Sequence, residues 1–300
     1  MSQPPPVAVP TELAERWGAD ASEGSRWLAA VPGLVDGWSR RWSLDRDRGP
    51  AAHGTNALVV PVRRGDRPCV LKLAWRGGDP GHEVAALRAW DGRGAVRLLA
   101  ADDSGTVLLL ERLDSDRSLA GIDPGTAAEL AGRLIRRLAV PGPEGLPGTA
   151  AAAADIAATL PGRQAVLGAP VPAEWADAAV DAARGLAGSA ASALVHTDLH
   201  GGNVLAGDRE AWLAIDPKPA VGDPERSVAE LLWTRADDVP DAAGLRAVLA
   251  RVVDAGELDP DRARAWVFAR TVDHWLWGLG VGLTEDPRRC ARVLAAVLGP

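Results

Sequence analysis

The chain has 300 residues, which is enough for two lobes with separate hydrophobic cores or for one large domain. Its formal net charge of -7 argues against nucleic acid or an anionic membrane as the main partner and is compatible with a cationic small-molecule substrate. The two cysteines, Cys69 and Cys290, are too few for a disulfide framework, and the sequence carries no export signal, so we expect a cytoplasmic protein.

Arginine is the default cation of this sequence. Of the 33 lysine and arginine residues, only Lys72 and Lys218 are lysine. Arginine cannot replace the compact ammonium group of lysine at every phosphate site, so each lysine is a sharper signal here than in an average sequence. Both lysines lie beside segments in which we predict phosphate chemistry.

The first part of the chain predicts helices followed by strands. Residues 1–10 are rich in proline and are expected to be extended or disordered. Residues 11–42 predict two short helices, broken at Gly18 and at Pro32-Gly33. Strands are predicted around residues 42–44, at 56–62 and at 68–73, with a hairpin loop at 63–67.

Lys72 on the third of these strands and Glu83 on the next helix form a candidate pair. Asp79 as N-cap and Pro80 at the first helical position predict a helix that runs to Trp90, with Glu83 in its first turn. Their separation suits a strand, a loop and a helix, the arrangement in which a kinase-like small lobe pairs a glutamate with the lysine that it fixes against the nucleotide. The alternatives are a solvated lysine at a strand end and an acid that only favours a helix N-terminus.

A hairpin is predicted next, from strands at 96–102 and 106–113. The second strand is apolar until Glu111, and polar residues follow at 114–118. This abrupt change is typical of a hinge whose backbone, from Glu111 through Arg112 to Leu113, can bond an adenine ring. We therefore predict N-terminal helices and a nucleotide-binding small lobe at 1–113, and a catalytic and substrate-binding large lobe at 114–300.

The segment at 193–219 carries the densest cluster of polar residues. One apolar run delivers His196, Asp198, His200 and Asn203, and a second apolar run at 212–215 delivers Asp216. Turn residues at 206–209 predict a hairpin that brings Asn203 close to Asp216. The cluster suits phosphoryl transfer, which needs a carboxylate to accept a proton from a hydroxyl and oxygen ligands to hold Mg²⁺.

Two other interpretations of this segment are open. On a strand, His196, Asp198 and His200 would face one side, as the ligands of a zinc or di-iron hydrolase do, although Asn203, the hairpin and Asp216 are then unexplained. In a purely structural interpretation, Asp198 and Asn203 cap a turn.

The rest of the chain predicts helices. Residues 126–140 and 172–192 have apolar residues with a period near 3.6, and Gly222-Asp223-Pro224 opens a helix at 225–234. The tail at 241–299 predicts about three more helices. The expected order is a small strand-rich lobe followed by a large helical lobe with one catalytic hairpin.

Together these segments resemble the aminoglycoside phosphotransferase family, which has a protein-kinase-like fold, and within it the streptomycin 6-phosphotransferase and hydroxyurea-type branch. The likeness covers about residues 54–234, most of the chain. It is carried by Val70-Leu71-Lys72-Leu73, His82-Glu83, Ala95-Val96-Arg97-Leu98-Leu99, Leu108-Leu109-Leu110-Glu111-Arg112-Leu113, His196-Thr197-Asp198-Leu199-His200-Gly201-Gly202-Asn203-Val204-Leu205, Ala214-Ile215-Asp216-Pro217-Lys218-Pro219, Gly222-Asp223-Pro224 and Leu231-Leu232-Trp233. The resemblance implies an α+β, bilobal protein-kinase-like fold with a small strand-rich N-lobe and a large, mainly helical C-lobe.

The resemblance also implies roles for the candidate residues. Asp198 would be the catalytic base, Asn203 and Asp216 the Mg²⁺ ligands, and Lys72, positioned by Glu83, the cation on the ATP phosphates. The backbone at 111–113 would bind adenine. Gly54 and Thr55 would cap the phosphates, although their turn has one glycine where protein kinases have three. Lys218 would touch phosphate or pair with an acid, and His200 would shape the loop or neighbour the phosphates.

The implied activity is ATP-dependent phosphorylation of an aminoglycoside, with the 6-hydroxyl of streptomycin as the expected acceptor and resistance as the result. An acidic large lobe would attract a guanidinium-bearing acceptor, through Glu230 and through Asp273 and Trp277, which share a helix face, beside Asp198. One alternative is a metabolite kinase of the same fold, whose base and metal ligands would be identical. The other is a non-catalytic pseudokinase, which would have no reason to keep Lys72, Glu83, Asp198, Asn203 and Asp216 together.

Overall fold

The computed structural model describes residues 10–11, 13–14, 23–47, 49–54, 56–75 and 80–298. The chain divides into two compact units. Unit 1 comprises Met1–Gly92 with Val96–Leu113, and unit 2 comprises Arg93–Ala95 with Asp114–Pro300. Within the described ranges, none of the helices combines the length and the apolar character that a membrane crossing requires.

Unit 1 is built around one antiparallel sheet. Its elements are α1 (Glu23–Trp42), β1 (Asp45–Arg46), β2 (Ala52–His53), β3 (Ala57–Arg64), β4 (Arg67–Ala74), α2 (Pro80–Trp90), β5 (Leu98–Ala101) and β6 (Val107–Glu111). The strand order is β1-β3-β4-β6-β5, and β2 also pairs with β3. Alternate residues of β3 and β4, such as Leu58 and Leu71, are fully buried and pack with Val31 of α1 in one hydrophobic core.

The structure corrects the prediction for residues 11–42. α1 is a single helix that runs through Pro32 and Gly33, and it extends to Trp42, where a strand was expected. Leu28, Val31 and Val35 of α1 are buried in the core of unit 1. Burial of each such side chain contributes about 1.5–3 kcal/mol, which together exceeds the roughly 3 kcal/mol that an internal proline costs a helix. The predicted break at Gly18 lies outside the described residues.

Unit 2 is mainly helical and contains two small sheets. Its helices are α3 (Pro124–Leu138), α4 (Thr149–Val166), α5 (Ala173–Leu186), α6 (Val228–Trp233), α7 (Ala242–Gly256), α8 (Pro260–Gly280) and α9 (Glu285–Leu298). Its strands are β7 (Asp114–Ser118), β8 (Ala193–His196), β9 (Val204–Ala206), β10 (Trp212–Ala214) and β11 (Pro219–Gly222). The order of a strand-rich part and a helical part confirms the predicted α+β class.

The central hairpin is present as predicted. β9 and β10 are antiparallel, with Val204 opposite Ala214, so Asn203 and Ile215 face each other at the open end of the hairpin. Two further strands were not predicted. β7, expected to be a polar connection, pairs with β9, and β11 pairs with β8 with Pro219 opposite His196. β11 therefore brings the residues after Asp216 back beside the catalytic segment.

Candidate active site

Lys72 and Glu83 form a nearly buried ion pair in unit 1. Lys72 Nζ lies 2.8 Å from both carboxylate oxygens of Glu83, and the side chains are 7% and 13% exposed. β4 directs Lys72 to this position, and Glu83 lies in the first turn of α2. The predicted contact is thus present, and it holds the ammonium group in one place. The role of the pair in nucleotide binding stays a prediction.

The turn at 53–57 connects two antiparallel strands, β2 and β3. Gly54 N donates a hydrogen bond to Ala57 O at 3.0 Å, and Gly54 is exposed. The N–H of Gly54 is therefore used within the turn, and the role of this turn in phosphate binding stays a prediction. Thr55 and the helix cap expected at Asp79 lie outside the described residues.

The predicted adenine hinge follows β6. The Glu111 carboxylate accepts a hydrogen bond from Arg97 N at 2.7 Å, which ties it to β5. The Arg112 side chain donates to Cys69 O and Val62 O and bonds the Asp47 carboxylate at 2.8 Å. Both side chains therefore stabilise the sheet of unit 1, and Glu111 N also donates to Arg97 O at 3.0 Å. The role of the backbone at 111–113 in binding adenine stays a prediction.

His196 connects the two polar segments of unit 2. The residue is 1% exposed; Nε2 of its ring lies 3.0 Å from Ile215 O, and Nδ1 lies 3.2 Å from Asp198 N. A carbonyl only accepts and an amide N–H only donates, so the proton is on Nε2 and the imidazole is neutral. Burial lowers the pKa of His196 below its ordinary value of 6.5, in agreement with those partners. His196 thus fixes the backbone of Asp198 against the residue before Asp216.

Asn203 makes a second connection across the same loop. Its Nδ2 donates to Asp198 O at 2.9 Å, which leaves Oδ1 as the acceptor of that amide. Ile215 N donates to Asn203 O at 2.9 Å. His200 Nδ1 accepts from Gly202 N at 3.1 Å and caps the short 3₁₀ turn Gly201–Asn203. The expectation that His200 shapes the loop agrees with this cap.

Asp216 has a left-handed backbone conformation, with φ of 49°. Non-glycine residues adopt this conformation at a cost of about 1–3 kcal/mol, and such residues cluster at functional sites. The Asp216 carboxylate and the Asn203 amide oxygen are hard oxygen donors of the type that Mg²⁺ prefers. The residues present therefore fit a magnesium ion on nucleotide phosphates. Among the described residues there is no group of three or more His, Cys, Asp or Glu side chains arranged to hold a metal.

The interpretation of this segment as a hydrolase metal site fails on its geometry. β8 ends at His196, so Asp198 and His200 do not lie on the strand whose alternation would align the three side chains. Both ring nitrogens of His196 are bonded to backbone groups.

Asp198 lies in the loop between β8 and the 3₁₀ turn, with its side chain 25% exposed. Its Oδ2 accepts a hydrogen bond from Lys218 Nζ. Of the two roles expected for Lys218, pairing with an acid is the one that the structure contains. Asp198 is also bonded through its backbone to His196 and Asn203, so three connections fix its position.

The residues predicted to bind a cationic acceptor have internal partners. Glu230 is 3% exposed, and both of its carboxylate oxygens lie 2.9 Å from Arg226. Burial lowers the pKa of Arg226 to about 10, so its guanidinium group remains charged at pH 7. Asp273 is bonded to Arg163 and to Arg270. These ion pairs stabilise the packing of α4, α6 and α8, and they leave little carboxylate surface for a ligand.

Trp277 is the exposed end of an aromatic stack. The residue is 50% exposed and its ring stacks on His274 at 5.2 Å, and His274 stacks on the buried Trp233 at 4.5 Å. His274 Nε2 also lies 3.0 Å from Asp286 Oδ2, which fixes the ring. Trp277 therefore presents a rigid aromatic surface to solvent, and its role in acceptor binding stays a prediction.

Sequence reasoning missed the part played by Gly222 and Asp223. The buried Asp223 carboxylate accepts from Ser189 Oγ at 2.5 Å and from Trp266 Nε1 at 2.9 Å, while Asp223 N donates to Thr149 Oγ1 at 3.1 Å. Gly222 has φ of +153°, and a Cβ there would lie 1.8 Å from Thr149 Oγ1. This anchor fixes the end of β11. The Gly-Asp-Pro sequence was its only signal, and it was taken as the start of a helix.

Comparison with known proteins identifies relatives along almost the whole chain. Residues 41–282 match the family model described as aminoglycoside/hydroxyurea antibiotic resistance kinase. A hydroxyurea phosphotransferase from Kitasatospora aureofaciens is 42% identical, with 98% of this chain and 86% of that protein covered. A streptomycin 6-kinase from Streptomyces glaucescens is 38% identical, with 92% of each covered.

Two solved structures show the shared fold. A ternary complex of a thermostable mutant of the aminoglycoside phosphotransferase APH(4)-Ia with ADP and hygromycin B has a TM-score of 0.61 at 16% identity, with 89% of this chain and 100% of that chain covered. A choline/ethanolamine kinase family protein from Mesorhizobium loti has a TM-score of 0.60 at 18% identity, with 89% and 96% covered. These similarities confirm the predicted kinase-like fold.

Proposed function

This chain belongs to the aminoglycoside/hydroxyurea antibiotic resistance kinase family and is a small-molecule kinase, and from that premise we propose that it transfers the γ-phosphoryl group of ATP to the 6-hydroxyl of streptomycin. Phosphorylation of the antibiotic would give resistance. The observation that carries the proposal is the fixed loop of unit 2, in which His196 and Asn203 bind Asp198 to the segment that ends at Asp216. We assign nucleotide binding to residues 1–113, and catalysis and acceptor binding to residues 114–300.

In the proposed reaction, the Asp198 carboxylate accepts the proton of the acceptor hydroxyl as its oxygen attacks the γ-phosphorus. The bond from that phosphorus to the bridging oxygen breaks, and ADP leaves with the electron pair. The proton then passes from Asp198, whose side chain is 25% exposed, to solvent. The hydrogen bonds of His196 and Asn203 to the Asp198 backbone hold the base in place, so little reorganisation accompanies the step.

Lys72 is proposed to bind the ATP phosphates, with Glu83 fixing its ammonium group. The backbone at 111–113 is proposed to bind adenine, and the turn that contains Gly54 and Thr55 is proposed to cap the phosphates. Asn203 Oδ1 and the Asp216 carboxylate would hold Mg²⁺, which supplies neutralisation of phosphate charge when it is bound.

Streptomycin is proposed as the acceptor because a streptomycin 6-kinase matches this chain over 92% of both lengths. Hydroxyurea is the second candidate, because a hydroxyurea phosphotransferase is 42% identical to this chain. Because Glu230 and Asp273 are paired internally, a guanidinium-bearing acceptor would have to bind other carboxylates, whereas hydroxyurea carries no cationic group that needs them. The two candidates share the base, the nucleotide site and the metal ligands proposed above.

The test is a MgATP turnover assay with streptomycin, other aminoglycosides, hydroxyurea and small hydroxyl metabolites, read as ADP release. The mass of each product and a phosphorus–proton NMR correlation identify the modified hydroxyl. A phosphoryl group on the 6-hydroxyl of streptomycin is the expected result. Modification of hydroxyurea alone would select the second candidate. Modification of a metabolite alone would refute both proposed acceptors but would still show that the protein is a kinase.

Asp198→Asn is the matched control, because the amide keeps the size of the carboxylate and cannot act as the base. We expect it to reduce transfer by about 10²–10⁴-fold with the affinity for ATP unchanged, which is the usual contribution of a general base. Full turnover by this variant would refute the proposed role of Asp198. Absence of ADP release with every acceptor, at retained ATP binding, would favour a pseudokinase.

A further inference from the structure

The second lysine of the chain lies beside the proposed base. Lys218 Nζ donates to Asp198 Oδ2, and the two side chains are 66% and 25% exposed. The ammonium group occupies one oxygen of the carboxylate, so Oδ1 is the other oxygen with which Asp198 can accept a proton. Asp216, the proposed metal ligand, precedes Lys218 by two residues.

Backbone hydrogen bonds fix the approach of Lys218 to Asp198. The carbonyl of Lys218 accepts from Thr197 N at 2.9 Å and from Thr197 Oγ1 at 2.8 Å. Thr197 precedes Asp198 directly, and the next residue pair, Pro219 and His196, is in register in the β8–β11 ladder. Lys218 is thus held by two hydrogen bonds to the residue that precedes Asp198, and the ion pair follows from the strand register.

A contribution to stability does not account for this ion pair. Exposed ion pairs contribute about 0–1 kcal/mol, because water screens them and two long side chains lose freedom. In a chain with two lysines among 33 basic residues, an arginine would serve a surface ion pair equally well. A lysine is the distinctive choice where a compact charge must sit on one oxygen and leave the other accessible.

We propose that Lys218 is a positioning residue for Asp198: its ammonium group holds Oδ2 and so presents Oδ1 to the acceptor hydroxyl. The inference rests on the proposed function, in which Asp198 is the base. The terminal torsion of an aspartate is broad, so an unrestrained, partly exposed carboxylate would sample many orientations. Misplacement of a reacting group by about 1 Å can cost 10²-fold in rate, and this sets the scale of the effect expected from Lys218.

The two-lysine composition allows a direct structural test. Protein labelled with ¹³C only at lysine gives one Cε–Hε signal from Lys72 and one from Lys218, and Lys218→Met assigns them by loss of a signal. We expect Asp198→Asn to shift the Lys218 signal and to leave the Lys72 signal in place. An unchanged Lys218 signal would overturn the proposal. This measurement needs no acceptor, so it stands even if streptomycin is not the substrate.

A double-mutant cycle tests the functional coupling. We expect Lys218→Met, which keeps the length of the side chain, to lower kcat by about 10²-fold with KM for ATP unchanged, and Lys218→Arg to recover part of the loss. In the Asp198→Asn background, Lys218→Met should have no further effect, because there is no base left to position. A wild-type kcat, or the same fold-loss in both backgrounds, would overturn the proposal.

A matched control variant and a second reaction allow the role of Lys218 to be tested independently of the identity of the acceptor. Arg133→Met is the matched control, since it also removes one cation from an exposed ion pair, with Glu129 at 2.9 Å, and it should leave kcat unchanged. If streptomycin is not phosphorylated, the proposed substrate fails, and the cycle is measured on the slow hydrolysis of MgATP. There water takes the place of the acceptor hydroxyl, and the same coupling is expected.

Discussion

Replacement of Asp223 by alanine is expected to destabilise unit 2 strongly. Asp223 and Trp266 are both fully buried, and the carboxylate accepts hydrogen bonds from Trp266 Nε1 and from Ser189 Oγ. Alanine would leave the indole N–H buried without a partner, at a cost of about 1–3 kcal/mol, and would remove the bond to Ser189, worth about another 1–2 kcal/mol. The expected loss is therefore about 2–5 kcal/mol in the free energy of unfolding.

Asparagine at position 223 distinguishes the contribution of the hydrogen bonds to stability from that of the negative charge. Its amide oxygen can accept from Trp266 Nε1, and its amide nitrogen can donate to Ser189 Oγ, so both contacts survive. We expect Asp223→Asn to lower the free energy of unfolding by about 1 kcal/mol, because a hydrogen bond to a charged group contributes about that much more than one between neutral groups. Urea unfolding followed by tryptophan fluorescence measures both variants, and the m-value reports whether the unfolded surface is unchanged.

The control for this comparison is Asp181→Ala, which removes an exposed carboxylate, with 75% of its side chain in solvent, from an ion pair with Arg184. Surface substitutions of this kind change stability by about 0.5 kcal/mol or less. If Asp223→Ala were no less stable than Asp181→Ala, the buried carboxylate would not be the anchor of β11, and the argument from its partners would be refuted.

Two further predictions concern the loop that carries the base. Below pH 6.5 the free energy of unfolding should fall by up to about 1.4 kcal/mol per pH unit through His196, because burial lowers its pKa in the folded state and the unfolded chain then binds the proton more readily. His196→Gln should lose the part of this pH dependence that arises from His196. Urea midpoints of the wild type and the variant at pH 7.5 and 5.5 test this, and an identical pH dependence in both proteins would contradict the prediction. Asp216→Ala should abolish the gain in ATP affinity on addition of Mg²⁺, measured by calorimetry, whereas Asp208→Ala in the same hairpin should retain it. Equal Mg²⁺ dependence in the two variants would remove Asp216 from the metal site.

The sequence predicted those features in which local signals and function agree. The hairpin of β9 and β10 follows from two short apolar runs around turn residues, and the Lys72–Glu83 contact follows from a strand, a loop and a helix start. Features that depend on distant residues were missed. α1 continues through Pro32 because its apolar face is buried on the sheet, and β11 forms because β8 lies beside it, although Pro219 and Gly222 disfavour a strand.

The overall negative charge does not by itself show which carboxylates would bind a cationic acceptor, for a physical reason that bears on both candidates. Around Glu230 and Asp273 lie the guanidinium groups of Arg163, Arg226 and Arg270, so the cluster carries more positive than negative groups. A guanidinium-bearing acceptor would have to displace one of these arginines from a partly buried carboxylate, whereas an uncharged acceptor meets no such competition. If streptomycin is the acceptor, its cationic groups must therefore bind carboxylates other than these two. Net charge acts over long distances and steers a ligand toward the protein, but local pairing decides which carboxylates can hold it.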